Sequence, residues 1–259
     1  MTRSPAPLRL TIHGADQSIR KPPEVPSHQH DLFRITYETE RTSMRIGILG
    51  TGVVGQTIGA GLIKLGHDVT LGARSATNEK AAKWAADSGA RAAHGTFADA
   101  AAAGEIVFNC TSGTVSLLVL DAAGVNNLSG KPLVDVSNPL DFSHGMPPTM
   151  TVCNTDSIAE QIQAAFPEAK VVKTLNTMTA AVMVNPALVP GDHDVFVSGN
   201  DAAAKGRVTE LLRSLGWRNI VDLGDITTAR GAEMLLPIWV RLYAAFKSPN
   251  FNFHIARGS

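Results

Sequence analysis

Gly50, Gly52 and Gly55 directly follow the apolar run 46–49 and open a stretch with helical apolar spacing. Between a strand and a helix, glycines at these intervals turn the chain tightly, let backbone approach a ligand, and seat the helix on the strand. The unpaired N–H groups of the helix start then suit a phosphate, whose charge the helix dipole favours. The pattern predicts a dinucleotide site built from Gly50, Thr51, Gly52, Val53, Val54 and Gly55.

The end of the second strand discriminates between dinucleotides. A carboxylate there would hold a ribose 2′-hydroxyl and repel a 2′-phosphate. Here 69–71 runs into Gly72-Ala73-Arg74-Ser75, and Asp68 stands at the strand's other end. Arg74 can bind a 2′-phosphate bidentately, Ser75 can donate to it, and Lys80 on the next helix adds charge. The expected cofactor is NADP(H). The competing reading makes Arg74 and Lys80 ordinary solvated cations.

Further polar residues fall at later strand ends, where ligands of doubly wound sheets lie. Thr111 and Ser112 could meet the cofactor's phosphate or nicotinamide ribose, and Asn138 its carboxamide; Asn176 joins them as a binding candidate. Ser, Thr and Asn also simply make turns. The long loop 141–148 offers His144 as a proton donor, although a surface turn histidine is the plainer reading. No Gly-x-Ser-x-Gly or His-Glu-x-x-His motif occurs, which disfavours hydrolysis and metal catalysis.

The elements that must position these residues alternate. Strands are expected at 46–49, 68–71, 90–93, 105–110, 133–136, 170–175, 194–198 and 219–223. Helices are expected at 53–65, 78–87, 97–103, 115–123 and 202–215, with one more opening at the capping box Ser157-x-x-Glu160. A final helix starts near Thr228, and Pro237 should break or kink it. This alternation predicts an α/β fold: a doubly wound, mostly parallel sheet of the Rossmann type with a short C-terminal helical extension. Past residue 223 there is room for about two helices. The loops at the sheet's carboxyl edge must therefore do most of the substrate binding, with help from the tail or a second subunit. Trp239, Leu242, Tyr243 and Phe246 recur at helical spacing and suit core packing, a dimer interface or a substrate wall. A homodimer is expected.

Hydrophobic content of 44% with 18% charged residues fits a globular domain with a sizeable core. A formal net charge of zero gives no attraction to nucleic acid or anionic membrane. The longest apolar stretch, 234–240, is too short to span a bilayer. Cys110 and Cys153 match neither a zinc site nor a redox pair, and a reducing cytoplasm fits them. Residues 1–43 hold Pro5, Pro7, Pro22, Pro23 and Pro26 and read as a disordered extension before a domain at 44–259. Met44 stands where a translation start would. His28 and His30 lack a third ligand nearby and read as solvated.

Several of these segments together resemble one family. Arg45-Ile-Gly-Ile-Leu-Gly-Thr-Gly, Gly72-Ala-Arg-Ser, Leu133-Val-Asp-Val-Ser-Asn-Pro, Val172-Lys-Thr-Leu-Asn-Thr, Val195-Phe-Val-Ser-Gly-Asn-Asp and Ser248-Pro-Asn-Phe-Asn-Phe are similar, in order, to the NADPH-dependent deazaflavin (coenzyme F420) reductases. The same pattern is similar to the NADPH domain of six-transmembrane ferric reductases. The resemblance spans 44–259. It implies NADPH held by the glycine turn and the Arg74/Ser75 element, with hydride passed to coenzyme F420 or another flavin-like acceptor. Such a transfer depends mainly on placing two rings face to face, so a missing acid–base pair is compatible. Ala73 stands where the family has serine, which shifts a phosphate contact toward Ser75. Two alternatives remain at this level: an NADP-binding sensor without turnover, and a reductase of another small acceptor such as an imine or carbonyl, for which His144 would be the proton donor.

Overall fold

The computed structural model describes residues 43–258. The expected extension, apart from Ser43, lies outside the described residues, as do His28 and His30.

The chain alternates strand and helix from its first described element. It runs β1 (Arg45–Leu49), α1 (Val53–Lys64), β2 (Asp68–Ala73), α2 (Glu79–Ser88), β3 (Ala92–Thr96), α3 (Phe97–Ala103), β4 (Ile106–Asn109), α4 (Ser116–Ala123), α5 (Val125–Leu128) and β5 (Pro132–Asp135). A small hairpin follows, β6 (Leu140–Asp141) and β7 (Thr149–Met150), then α6 (Ile158–Ala165), β8 (Lys170–Thr174) and α7 (Ala180–Val184). The remainder is β9 (Asp194–Ser198), α8 (Ala202–Ser214), β10 (Asn219–Gly224), α9 (Ala229–Met234) and α10 (Leu236–Phe246). Local chemistry sets many of the boundaries. Asn78 and Asp201 accept from N–H groups of α2 and α8, Thr96 and Asp99 form a capping box, and Pro237 sits in the first turn of α10, where its missing N–H costs nothing.

Eight strands form one sheet in the order β10-β9-β8-β5-β4-β1-β2-β3. From β3 to β8 all neighbours are parallel, which is the doubly wound order with its switch point between β1 and β4. The expected parallel run ends there. β9 pairs antiparallel with β8 through Lys173↔Ser198 and Thr174↔Val197, and β10 runs parallel to β9. The reversal follows from the connection. Helix α7, with five residues, and a 3-10 turn at Pro186–Leu188 are the regular structure between β8 and β9, and no long helix packs back along the sheet there. The chain does not return to the amino edge before β9 begins. The third strand also lies later than expected, at Ala92–Thr96, and a 3-10 turn at Gly113–Val115 precedes α4.

Each face of the sheet is covered. Ile48, Phe108, Val134 and Val172 pack under α1, α2, α7 and α8 through Ile58, Trp84, Val182 and Leu211. On the other face Leu49, Val107, Leu133 and Val171 meet Ala100, Leu120, Leu128 and Ile162 from α3, α4, α5 and α6. Burying rows of this kind on both faces fixes the strand register, and so fixes which residues end each strand at the carboxyl edge.

Candidate functional site

The glycine turn has the geometry that its sequence requires. Gly50 takes φ 117°, a left-handed conformation open to glycine, and its N–H donates to Gly72 O at 3.0 Å. A Cβ on Gly55 would lie 2.2 Å from Gly50 O, so the helix can approach the strand only without one. Gly52 differs: a Cβ there would meet nothing within 4 Å. Helix α1 starts at Gly52 with no side-chain cap and no acidic residue in its first turn. The N–H groups of Val53, Val54 and Gly55, in the first turn, have no partner within the helix. Gln56 braces the turn through Thr51 O at 2.8 Å. This cradle fits a pyrophosphate.

At the end of β2 the chain leaves the sheet at Ala73, and Arg74, Ser75, Thr77 and Lys80 are exposed. Ser75 Oγ lies 2.8 Å from Thr77 Oγ1 and accepts from the Thr77 N–H at 3.2 Å, which sets both hydroxyls beside Arg74 in the chain. Asp68 pairs with Arg91 at 2.9 Å at the opposite edge of the sheet, where it is partnered by Arg45 in the β1–β2 register. No carboxylate of β2 thus competes for a 2′-phosphate. Thr77 was absent from the sequence candidates; the Ser-x-Thr spacing was its signal.

The remaining candidates line up along the edge. Gly50 abuts Cys110 O and the Thr111 methyl, while Gly113 donates to Asn138 O at 3.1 Å. Asn138 Nδ2 donates to Asn176 O and Asn176 Nδ2 donates to Asn138 Oδ1, both at 3.0 Å; Asn176 also donates to Ala232 O. These two amides brace the loops against each other and against α9. Ser112 is exposed beside them, with its hydroxyl 3.0 Å from Thr114 Oγ1. His144 is not drawn into this cluster. It is exposed in the β6–β7 loop, and Asp141 organises that loop by accepting from the Ser143 N–H and hydroxyl.

Beneath the edge lies a buried charge network that sequence reading missed. Leu49, Asn109, Asp135 and Lys173 occupy one register row across β1, β4, β5 and β8. Lys173 Nζ is 2.8 Å from Asp135 Oδ2 and 2.7 Å from Glu233 Oε1, and it donates to Ser137 O at 2.6 Å. Glu233 also accepts from the Ile158 and Ala159 N–H groups, so a residue of α9 caps α6. Burial alone would lower the Lys173 pKa, but Asp135 and Glu233 outweigh it and hold the ammonium above its ordinary value. With all three N–H bonds used, Lys173 has no free donor for a substrate. Nearby, burial and then the Asp135 charge push the Cys110 thiol up, which keeps it protonated. The trace in the sequence was a lone charge inside two apolar strands, since such residues are rarely buried unpaired.

Trp239 stacks on Tyr243 at 5.6 Å and on Phe251 at 5.3 Å. Phe253 O accepts from the Asp194 N–H at 2.8 Å, which folds the tail onto the start of β9. Tyr243 and Phe246 stay exposed. Among the described residues no helix is long and apolar enough to cross a membrane, and no three metal-ligating side chains cluster.

Comparison with known proteins gives this geometry a family. Residues 45–139 match the model for NADP oxidoreductases, coenzyme F420-dependent. A crystal structure from Arthrobacter sp. FB24, provisionally named an F420-dependent NADP reductase, is 56% identical, with a TM-score of 0.80 over 83% of this chain and 100% of that one. The chain belongs to the F420-dependent NADP oxidoreductase family. The F420-dependent NADP reductase of Methanocaldococcus jannaschii is 31% identical over 49% of this chain and 57% of that protein. Metalloreductase STEAP3 of Rattus norvegicus is 28% identical over 83% of this chain and 43% of its own length. The chain thus spans about half the length of these two relatives. A reductive aminase from Aspergillus terreus, at 22% identity and a TM-score of 0.57, shares the fold.

Proposed function

We propose that this chain binds NADPH along the carboxyl edge of its sheet and passes hydride to a deazaflavin- or flavin-like acceptor. The observation that carries the reading is the uncapped start of α1 beside the open space at Gly52, followed by Arg74, Ser75 and Thr77 where an NAD site would place a carboxylate. In this reading the N–H groups of Val53, Val54 and Gly55 hold the pyrophosphate. Arg74 takes the 2′-phosphate as a bidentate ion pair, with Ser75, Thr77 and Lys80 around it. The dinucleotide then crosses the switch point, so its nicotinamide half lies over the ends of β4, β5 and β8, beside Thr111 and Asn138. When bound, NADPH supplies a hydride from nicotinamide C4. The residues at this edge position rings and exclude water; none is asked to move a proton. The exposed Val115, Leu118, Phe142 and Met146, on the turn, helix and hairpin after β4 and β5, offer a flat acceptor ring an apolar surface. Family membership and the relatives named as F420-dependent NADP reductases support the deazaflavin as the first acceptor to try.

The test is to mix purified protein with NADPH and, separately, coenzyme F420, FMN, FAD, a quinone and a cyclic imine, following absorbance at 340 nm. Saturable oxidation with F420 or a flavin supports the proposal. Tight NADPH binding with no turnover across the panel would make the chain a cofactor-binding protein, and turnover confined to the imine would move the acceptor class.

A further inference from the structure

The buried charges dictate the direction of the hydrogen bonds that run from Glu233 of α9 through Lys173, Asp135 and Asn109 to Thr111. Lys173 can only donate, and its three protons go to Asp135 Oδ2, Glu233 Oε1 and Ser137 O. Asp135 faces donors on both oxygens: Lys173 at Oδ2, and the Ser137 N–H, at 3.2 Å, at Oδ1. It therefore acts only as an acceptor. Asn109 must turn its NH2 to Asp135 Oδ1, 2.8 Å away, and the second proton of that NH2 goes to Ser116 Oγ at 2.9 Å. Ser116 in turn points its own proton between Ser112 O, 3.1 Å away, and Thr111 Oγ1, 3.2 Å away. The Asn109 carbonyl is left facing Thr111. A carbonyl only accepts, so the single Thr111 proton is committed to it, over 2.6 Å.

Thr111 is half-buried at the lip of the site, and its hydroxyl proton already has an acceptor. With Ser116 facing one lone pair, what the oxygen presents outward is the other. We infer that Thr111 is an acceptor-only contact that selects a hydrogen-bond donor on the nicotinamide half of the cofactor and rejects phosphate, and that Asp135, Asn109 and Lys173 are positioning residues that fix this polarity. The donor chemistry is shared by two groups, a ribose hydroxyl and the carboxamide NH2. This rests on the NADP reading above and assigns Thr111 the ribose-or-carboxamide side of the cofactor. A phosphate oxygen would set lone pair against lone pair at this atom, with the Asp135 charge behind it.

Three probes separate the parts: NADP+, 2′-phospho-ADP-ribose, which lacks the nicotinamide, and 2′-phospho-ADP, which keeps the phosphates but lacks both nicotinamide and its ribose. Titration calorimetry on the full chain should show Thr111→Val weakening NADP+ about fivefold to tenfold while leaving 2′-phospho-ADP unchanged. A matching loss for 2′-phospho-ADP-ribose places the donor on the ribose; no loss with that probe places it on the carboxamide. Thr111→Ser, which keeps the hydroxyl, should restore binding. Asp135→Asn should produce the same split between NADP+ and 2′-phospho-ADP, a selectivity that general loosening of the fold would not create; Thr111→Val decides the matter if Asp135→Asn does not fold. Equal weakening of all three probes by Thr111→Val, or no change in any, would overturn the assignment. If the unaltered protein binds none of the three, the NADP reading itself falls and takes this inference with it.

Discussion

The Lys173 ammonium lies 2.7 Å from the Glu233 carboxylate, and neither side chain reaches solvent. The pair joins the end of β8 to helix α9, and Asp135 completes it from β5. Removing the cation alone would leave two carboxylates buried without a counter-charge. Lys173→Met should therefore cost about 3–5 kcal/mol in urea unfolding. Arg45→Ala, which breaks an exposed pair with Glu105, should cost less than about 1 kcal/mol. Similar losses in the two variants would contradict a structural role for the buried triad.

The same group shapes the alkaline limb of stability. Its folded pKa is raised above the ordinary 10.5, so its contribution is complete below that value and is lost as pH climbs through the folded pKa. The acid limb has the opposite sign. Asp99 is held down by the Thr96 hydroxyl and N–H, and Asp225 by the hydroxyl and N–H of Thr227. Their contributions are present above 3.8 and fade as pH falls through the lowered folded values. Urea midpoints measured across pH should be level up to 9.0, where the buried Cys110 thiol begins a first decline, and Lys173→Met should remove the part of the alkaline decline that begins above 10.5. An unchanged alkaline decline in that variant would assign it to other groups.

Gly52 and Gly55 should fail in different ways. Gly55→Ala drives a methyl into Gly50 O, 2.2 Å from its ideal position, and should lower the melting temperature along with cofactor affinity. Gly52→Ala meets no protein atom within 4 Å and has φ −76°, which alanine accepts. It should melt normally yet bind NADPH at least about tenfold more weakly, because its methyl enters the pyrophosphate space. Thermal melts paired with NADPH titrations check both. Normal binding by Gly52→Ala would remove the cofactor from this cradle.

Arg74 should discriminate between the two nicotinamide cofactors. Arg74→Ala removes a charge-assisted pair worth about 1.5–3 kcal/mol, a loss of roughly tenfold to a hundredfold in NADPH affinity. NADH lacks the 2′-phosphate, so its affinity should hold. Fluorescence titration of the reduced nicotinamide reads both constants. Equal losses for the two cofactors would assign Arg74 to something other than the 2′-phosphate.

Much of this was legible because it is local. The glycine turn at Gly50, the positions of α2 and α8, and the division of the last helix around Pro237 each depend on a few adjacent residues. The reversed direction of β9 was not, because the hydrophobic pattern of a strand is the same in either direction. Lys173 and Asp135, 38 residues apart, showed in the sequence only as single charges in apolar strands. Nothing local tied them to Glu233. Asn138 and Asn176 stand among the expected cofactor contacts, and that their amides also bond each other only the meeting of two loops could reveal.

Deuterium transfer from 4-deuterated NADPH to coenzyme F420 measures the proposed hydride transfer most directly. With the purified chain, NADPH should be consumed saturably and the label should appear on the ring carbon of the reduced deazaflavin, with Gly52→Ala needing at least about tenfold more NADPH for the same rate. NADPH that binds tightly but passes no deuterium to the deazaflavin, and is oxidised by no flavin, would contradict it.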